Sequence, residues 1–286
     1  MNWERIKDKI LIFGEDDYIF ANMFISIINE YEKVQNLEDL KFFTYSMLTE
    51  LMDEKLIKIY VPKIDKGNII QIIEYICNDK KSELEVSFDV IMQERTTNFS
   101  KATSSMNYPE DVKVFLEGST HIPITASLTK YAKDIAKGAK TPLEKAQAVY
   151  DWTVTTMYRD DSVIGCGLGD AKKAIEEKIY GGKCTDISSV LVCLLRNLGI
   201  PSREVFGIRA GQSKISNACG KADDKGFANI TGAQHCRAEF YIDGLGWVPA
   251  DPADVTKVRL AEKLTNEDQK VKDVKKYFFG SWEMNW

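Results

Sequence analysis

The chain has 286 residues, of which 44% are hydrophobic and 28% charged, with a formal net charge of −5. That length exceeds one comfortable core and favours two domains, and the apolar share suits an ordinary packed protein and excludes a disordered or fibrous one. The acidic excess and the absence of a basic stripe argue against nucleic acid as a partner, because phosphate binding draws on clustered Lys and Arg.

The first residues, MNWERIKDKILIFGEDD, mix acidic and basic side chains and lack the apolar run of a secretory signal. No stretch reaches the ~18 consecutive apolar residues of a membrane span. A soluble, cytoplasmic protein with no membrane partner is expected of the chain as it stands. Six cysteines (Cys77, Cys166, Cys184, Cys193, Cys219, Cys236) are scattered without a CxxC pair or a His/Cys tetrad at zinc spacing, which predicts reduced thiols.

Residues 1–97 read as a small mixed α/β domain. Helical spacing covers 18–31 and then 37–52, with Asn36 as N-cap of the second. A β-rich run over 56–62, a short helix over 68–77 and a strand over 84–91 complete the unit. Helix, helix, strand suggests a winged-helix shape, but acidic side chains outnumber basic ones there. A docking or regulatory module with a protein partner is the expectation. Residues 98–119 are polar, with Ser, Thr and Asn around Pro109, and read as a linker into a second domain over 120–286.

In that domain Thr141-Pro142-Leu143-Glu144 combines a capping threonine, a proline at the first helical position and a glutamate three residues after the cap. A helix starts there, carried on by Ala146, Tyr150 and Val154. The glycine-rich break Gly165–Gly169 lacks a leading strand and the full dinucleotide fingerprint, so it is a turn before a short helix over 170–177.

Gly181, Gly182 and Lys183 precede Cys184 and a helix whose Ile187, Val190, Leu191, Leu194, Leu195 and Leu198 form a buried stripe, stopped by Gly199 and Pro201. Cys184 falls in the first turn on the stripe's side, where unpaired N–H groups stabilise a thiolate. The glycines let a substrate carbonyl approach, and the Cys184 N–H can donate to an oxyanion. A cysteine beside such a helix can equally be a small buried hydrophobe, the expectation for Cys193 and Cys77.

Two β-rich runs, 234–242 and 247–251, flank a Gly-containing turn and form a hairpin that brings Asp251 back to the level of His235. Ala238, Phe240 and Ile242 share one face; His235, Arg237, Glu239 and Tyr241 share the other. A thiol needs a base that takes its proton and a carboxylate that orients the base. The chain has two histidines, and His121 lies in a loop context without an evident partner. Asp254 competes with Asp251 for the carboxylate role, and His235 or Asp251 could be merely structural.

The stretches TPLEKAQAVYDWTV, GCGLGD, YGGKCTDISSVLVCLLRNLGIPSREVFGIR, QHCRAEFY and GWVPADPADV, spread over 120–286, resemble the transglutaminase-like superfamily, particularly a bacterial branch. The resemblance implies an α+β, papain-like core with Cys184 as nucleophile at a helix N-terminus and His235 and Asp251 as base and third member on an antiparallel sheet. It implies a thioester intermediate on a peptide or protein amide substrate. A cysteine peptidase or amidase is the first expectation; a protein-glutamine acyltransferase and a silent binding module on the same fold are the alternatives. The tryptophan that crosslinking relatives place at the oxyanion has no clear equivalent. Gln234, Cys166, Gly182 and Trp247 are the candidates for oxyanion or substrate contact. Relatives of this branch are often exported, and similar proteins would continue with further strands beyond Trp286. No metal and no cofactor are expected, since the mechanism needs none and no calcium-loop pattern appears.

Overall fold

The structure is a computed structural model. It describes residues 59–65 and 68–75 by their backbone, and 93–286 apart from positions 164, 231, 284 and 286. The helices expected over 18–31 and 37–52 and the strand over 84–91 lie outside the described residues. The segment over 68–77 is a strand and not the expected helix: β1 (Ile59–Asp65) pairs antiparallel with β2 (Asn68–Tyr75), Ile59 opposite Tyr75 and Asp65 opposite Asn68. Its isoleucines are β-branched and favour extended backbone, and the strand just upstream supplies the ladder that overrides the helical spacing.

Within 93–286 the described residues pack around one helix, and two short strands, β4 (Tyr158–Arg159) and β5 (Gly181–Gly182), pair in parallel ahead of it. Three strands, β6 (Ser202–Ile208), β7 (Gln234–Ile242) and β8 (Gly246–Ala250), form an antiparallel sheet in the order β6-β7-β8. Against it lies α5 (Cys184–Asn197), in contact with both β6 and β7. Ile187, Val190, Leu191, Leu194 and Leu195 are fully buried, and so is Cys193 on another side of the same helix. A helix apolar nearly all round must be surrounded. Helices α2 (Ala126–Ile135), α3 (Pro142–Thr156), α4 (Ala171–Glu176) and α6 (Pro252–Ala261) complete the shell, with α7 (Gln269–Tyr277) against α6. The start of α3 carries the capping box its sequence predicts: Glu144 N–H donates to Thr141 Oγ1 at 3.1 Å, and the Glu144 carboxylate accepts from Thr141 N–H at 3.1 Å.

Both faces of β7 are buried. Ala238, Phe240 and Ile242 lie in the core, as alternation predicts. On the reverse face Arg203 donates twice to Glu239, at 3.0 and 2.7 Å, and Trp282 stacks on Arg237 at 4.4 Å. Trp282 is brought there by the pairing of β3 (Arg95–Thr96) with β9 (Ser281–Trp282), two short strands far apart in sequence. Residues 98–119, polar in composition, hold α1 (Glu110–Lys113) between two 3-10 turns. Tyr108 and Val112 there are buried, and the Phe115 ring meets Trp247 edge-on at 4.9 Å. Among the described residues no helix is long and apolar enough to cross a membrane.

Candidate active site

Cys184 is the first residue of α5, and its side chain is buried. The loop before it is locked from within the helix. Asp186, in the first turn, accepts N–H bonds from Leu168 at 2.8 Å, Gly169 at 3.0 Å and Lys183 at 2.9 Å. Burial pushes its carboxyl up while those donors hold it down, and burial wins. Gly167 lies so close that an added Cβ would sit 1.9 Å from Asp186 Oδ2, and its φ of +96° is one that side chains rarely adopt. The loop's Cys166 carbonyl accepts Thr185 N–H at 3.0 Å and comes within 4.0 Å of Cys184 Sγ. Gly182 is held as closely: a Cβ there would fall 2.5 Å from Asp186 Cβ.

Contacts from the Cys166 and Cys236 thiols hold the Cys184 thiol well below its usual range against the burial that would raise it, and His235 adds a further downward pull. Cys236, by contrast, is pushed well up by burial and by the neighbouring Cys184. The two shifts run in opposite directions, and the thiol held low is the one at the helix N-terminus.

His235 stands near the start of β7, opposite Gly207 of β6. The β7–β8 register sets Ala238 opposite Ala250, so Asp251, the N-cap of α6, lies beside the start of β7. His235 Nε2 and Asp251 Oδ2 are 2.7 Å apart, and both side chains are 4% exposed. With Nε2 given to Asp251, Nδ1 is the nitrogen left to meet Cys184. Burial and the nearby Arg209 cation work to lower the His235 pKa, the Asp251 and Asp254 carboxylates work to raise it, and the net direction is upward. A depressed thiol beside a raised imidazole favours a thiolate–imidazolium pair.

The other candidates are placed unequally. Gln234 begins β7, half-buried, on the same side of the strand as Cys236, which faces Thr185 of α5 at 3.5 Å. Cys166 and Gly182 both lie in the segments that frame Cys184. Trp247 is not brought to the cysteine: it pairs with Tyr241, and its ring lies under Arg203 at 4.0 Å beside Phe115. It sits four residues from Asp251 along an extended segment, about 13 Å by strand rise. Two contributors escaped the sequence reading. Asp186 had a signal, an acidic residue at the third position of a helix lacking a capping Ser or Thr; Arg209, at the end of a strand, had none.

Donor atoms of His235, Asp251 and Asp254 lie within 4.8 Å of one another, a set of types that could hold a cation. Here they are engaged otherwise: Asp251 with His235, and both Asp254 oxygens with the Arg209 guanidinium, whose charge opposes a cation.

Residues 129–252 match the model of the transglutaminase-like superfamily, a span that encloses Cys184, His235 and Asp251. An uncharacterized protein of Haemophilus influenzae is 46% identical over 186 residues, covering 63% of this chain and 50% of that protein. The chain thus spans about half the length of the curated relative it matches. Among solved structures, a candidate cysteine protease from Cytophaga hutchinsonii aligns with 21% identity over 54% of this chain and 45% of the other, at a TM-score of 0.41. The periplasmic domain of TgpA from Pseudomonas aeruginosa aligns with 15% identity over 59% of this chain and 54% of the other, also at 0.41.

Proposed function

From the premise that residues 129–252 carry a transglutaminase-like core, we propose that the protein is a thiol hydrolase of peptide or other amide bonds, with Cys184, His235 and Asp251 as its catalytic triad. The observation that supports this most is the buried 2.7 Å His235–Asp251 pair turned toward a depressed thiol at a helix N-terminus. Each part then has a task. The Cys184 thiolate attacks the amide carbonyl, forming a C–S bond and an oxyanion to which the Cys184 N–H donates. The His235 imidazolium protonates the departing amine as the C–N bond breaks, leaving a thioester on Cys184. His235, now neutral, takes a proton from a water whose oxygen bonds to the thioester carbonyl; the C–S bond then breaks, the acid leaves, and the Cys184 thiolate is restored beside the His235 imidazolium. Asp251 keeps Nδ1 of His235 aimed at sulfur throughout.

Gln234 and the Cys166 loop are the candidates for a second oxyanion donor. Hydrolysis is preferred to transfer because water suffices as second substrate. The test is turnover of a panel of peptide amides and glutamine peptides in the presence of a labelled primary amine. Cleavage or deamidation without label, absent in C184A, is the expected outcome. Incorporation of label would make the protein an acyltransferase, and equal signals from C184A and the parent would remove the catalytic reading.

A further inference from the structure

We propose that Asp254 and Arg209 form a charge-balancing pair beside the triad, which offsets the carboxylates around the His235 imidazole. The inference deepens the proposed function and rests on it. Asp254 acts on Asp251 through its backbone: its N–H donates to Asp251 Oδ1 at 2.9 Å, which leaves Oδ2 for His235. Its carboxylate is a second acid facing the same imidazole, with Oδ1 at 3.7 Å from His235 Nε2. Arg209 takes up that carboxylate two-pronged, Nη1 donating to Oδ2 at 2.7 Å and Nη2 to Oδ1.

Arg209 is itself fixed at three points. Its N–H donates to the Ala233 carbonyl at 2.9 Å, just ahead of β7, and Nη1 donates to the Cys219 carbonyl at 2.7 Å as well as to Asp254. All of these side chains are buried. Taking an arginine and an aspartate out of water brings little stability that a packed apolar pair would not, so their placement beside a titrating base calls for another reason. Two carboxylates on one buried imidazole would leave an excess negative charge and hold His235 protonated; the guanidinium cancels one of them.

The charges facing His235 come from every element around it: Cys184 of α5, Asp251 at the end of β8, Asp254 of α6 and Arg209 after β6. Farther out, Arg237 of β7 faces both carboxylates and Lys257 of α6 faces that of Asp254. Tyr150 of α3 also faces them. Only Asp254 and Arg209 act on His235 with opposite sign while bonded to each other.

That opposition supplies a readout that a merely structural role would not move. In the full chain, the His235 ring protons are followed by NMR against pH, with a His121→Asn variant to assign the two histidines. D254N should move the His235 midpoint to lower pH, and R209M should move it to higher pH, each by about one pH unit. R209K, which keeps the charge, and the double variant D254N/R209M should stay near the parent. Single variants that both shift in one direction, or R209K shifting as far as R209M, would overturn the proposal; should a single variant not fold, R209K and the double variant still decide it. Iodoacetamide labelling of Cys184 in the parent is measured alongside. If Cys184 shows no selective, His235-dependent labelling, the proposed function fails while the titration still reports on the charge balance.

Discussion

Replacing Asp186 by alanine removes a side chain that never meets the proposed substrate, yet it should unsettle the site. The carboxylate accepts backbone N–H bonds from Leu168, Gly169 and Lys183 at 2.8–3.0 Å, and alanine leaves these donors without that acceptor in a half-buried place. A hydrogen bond to a charged acceptor contributes about 1.5–3 kcal/mol, and the cost of burying the charge offsets part of the total. Entry of water to the freed loop recovers more. A loss of about 3–4 kcal/mol is expected for Asp186→Ala. With a urea dependence of roughly 2–3 kcal/mol per molar for a domain of this size, the unfolding midpoint should fall by about 1–2 M, followed by tryptophan fluorescence. Because the loop carries the Cys166 carbonyl that faces Cys184, alkylation of Cys184 should also lose its selectivity over Cys166. A midpoint within about 0.3 M of the parent would mean that the loop is held by something other than this carboxylate.

Other expectations follow from the same contacts. Gly181→Ala and Gly182→Ala should differ: a Cβ at Gly181 meets the end of the Tyr158 ring, which is largely exposed and can turn aside, while one at Gly182 meets the fixed Asp186. The first should cost under about 1 kcal/mol and the second about 2 kcal/mol or more, read from urea midpoints. The stability of the parent should fall on acidification below about pH 4: burial would raise the Asp254 carboxyl, but Arg209 and His235 hold it far below its unfolded value, so its contribution is present above that value and lost as the pH drops. D254N should flatten this acid limb. His235 has the opposite sign. Its folded pKa is raised, so its contribution is complete below about pH 6.5 and is lost as the pH climbs through the folded value, a slope that H235Q should lack.

Much of the arrangement can be read from residues alone, and the reasons are local. The α3 start carries its own capping chemistry, the α5 stripe repeats at helical spacing, and the turn over 243–246 fixes the register that sets Asp251 beside His235. What escaped depends on contacts distant in sequence. The strand Asn68–Tyr75 has apolar residues at spacings that fit a helix, and only its pairing with Ile59–Asp65 decides otherwise. The polar face of β7 is buried because Arg95, Arg203 and Trp282 come from far along the chain to cover it. Arg209 ends a strand whose alternation says nothing of a buried acid waiting for it 45 residues on. Trp247 is four residues from Asp251 in sequence, and the extended strand carries it to Phe115.

Every role proposed for the site depends on His235 holding Cys184 as a thiolate. The most direct measurement is the pH dependence of iodoacetamide labelling, resolved by mass spectrometry for Cys184 against the other cysteines, in the parent, H235A and D251A. Labelling of Cys184 well below pH ~8, faster than its neighbours and weakened in both variants, is the expected result. A Cys184 that labels no faster than Cys166 or Cys219, or that labels equally in H235A, would contradict it.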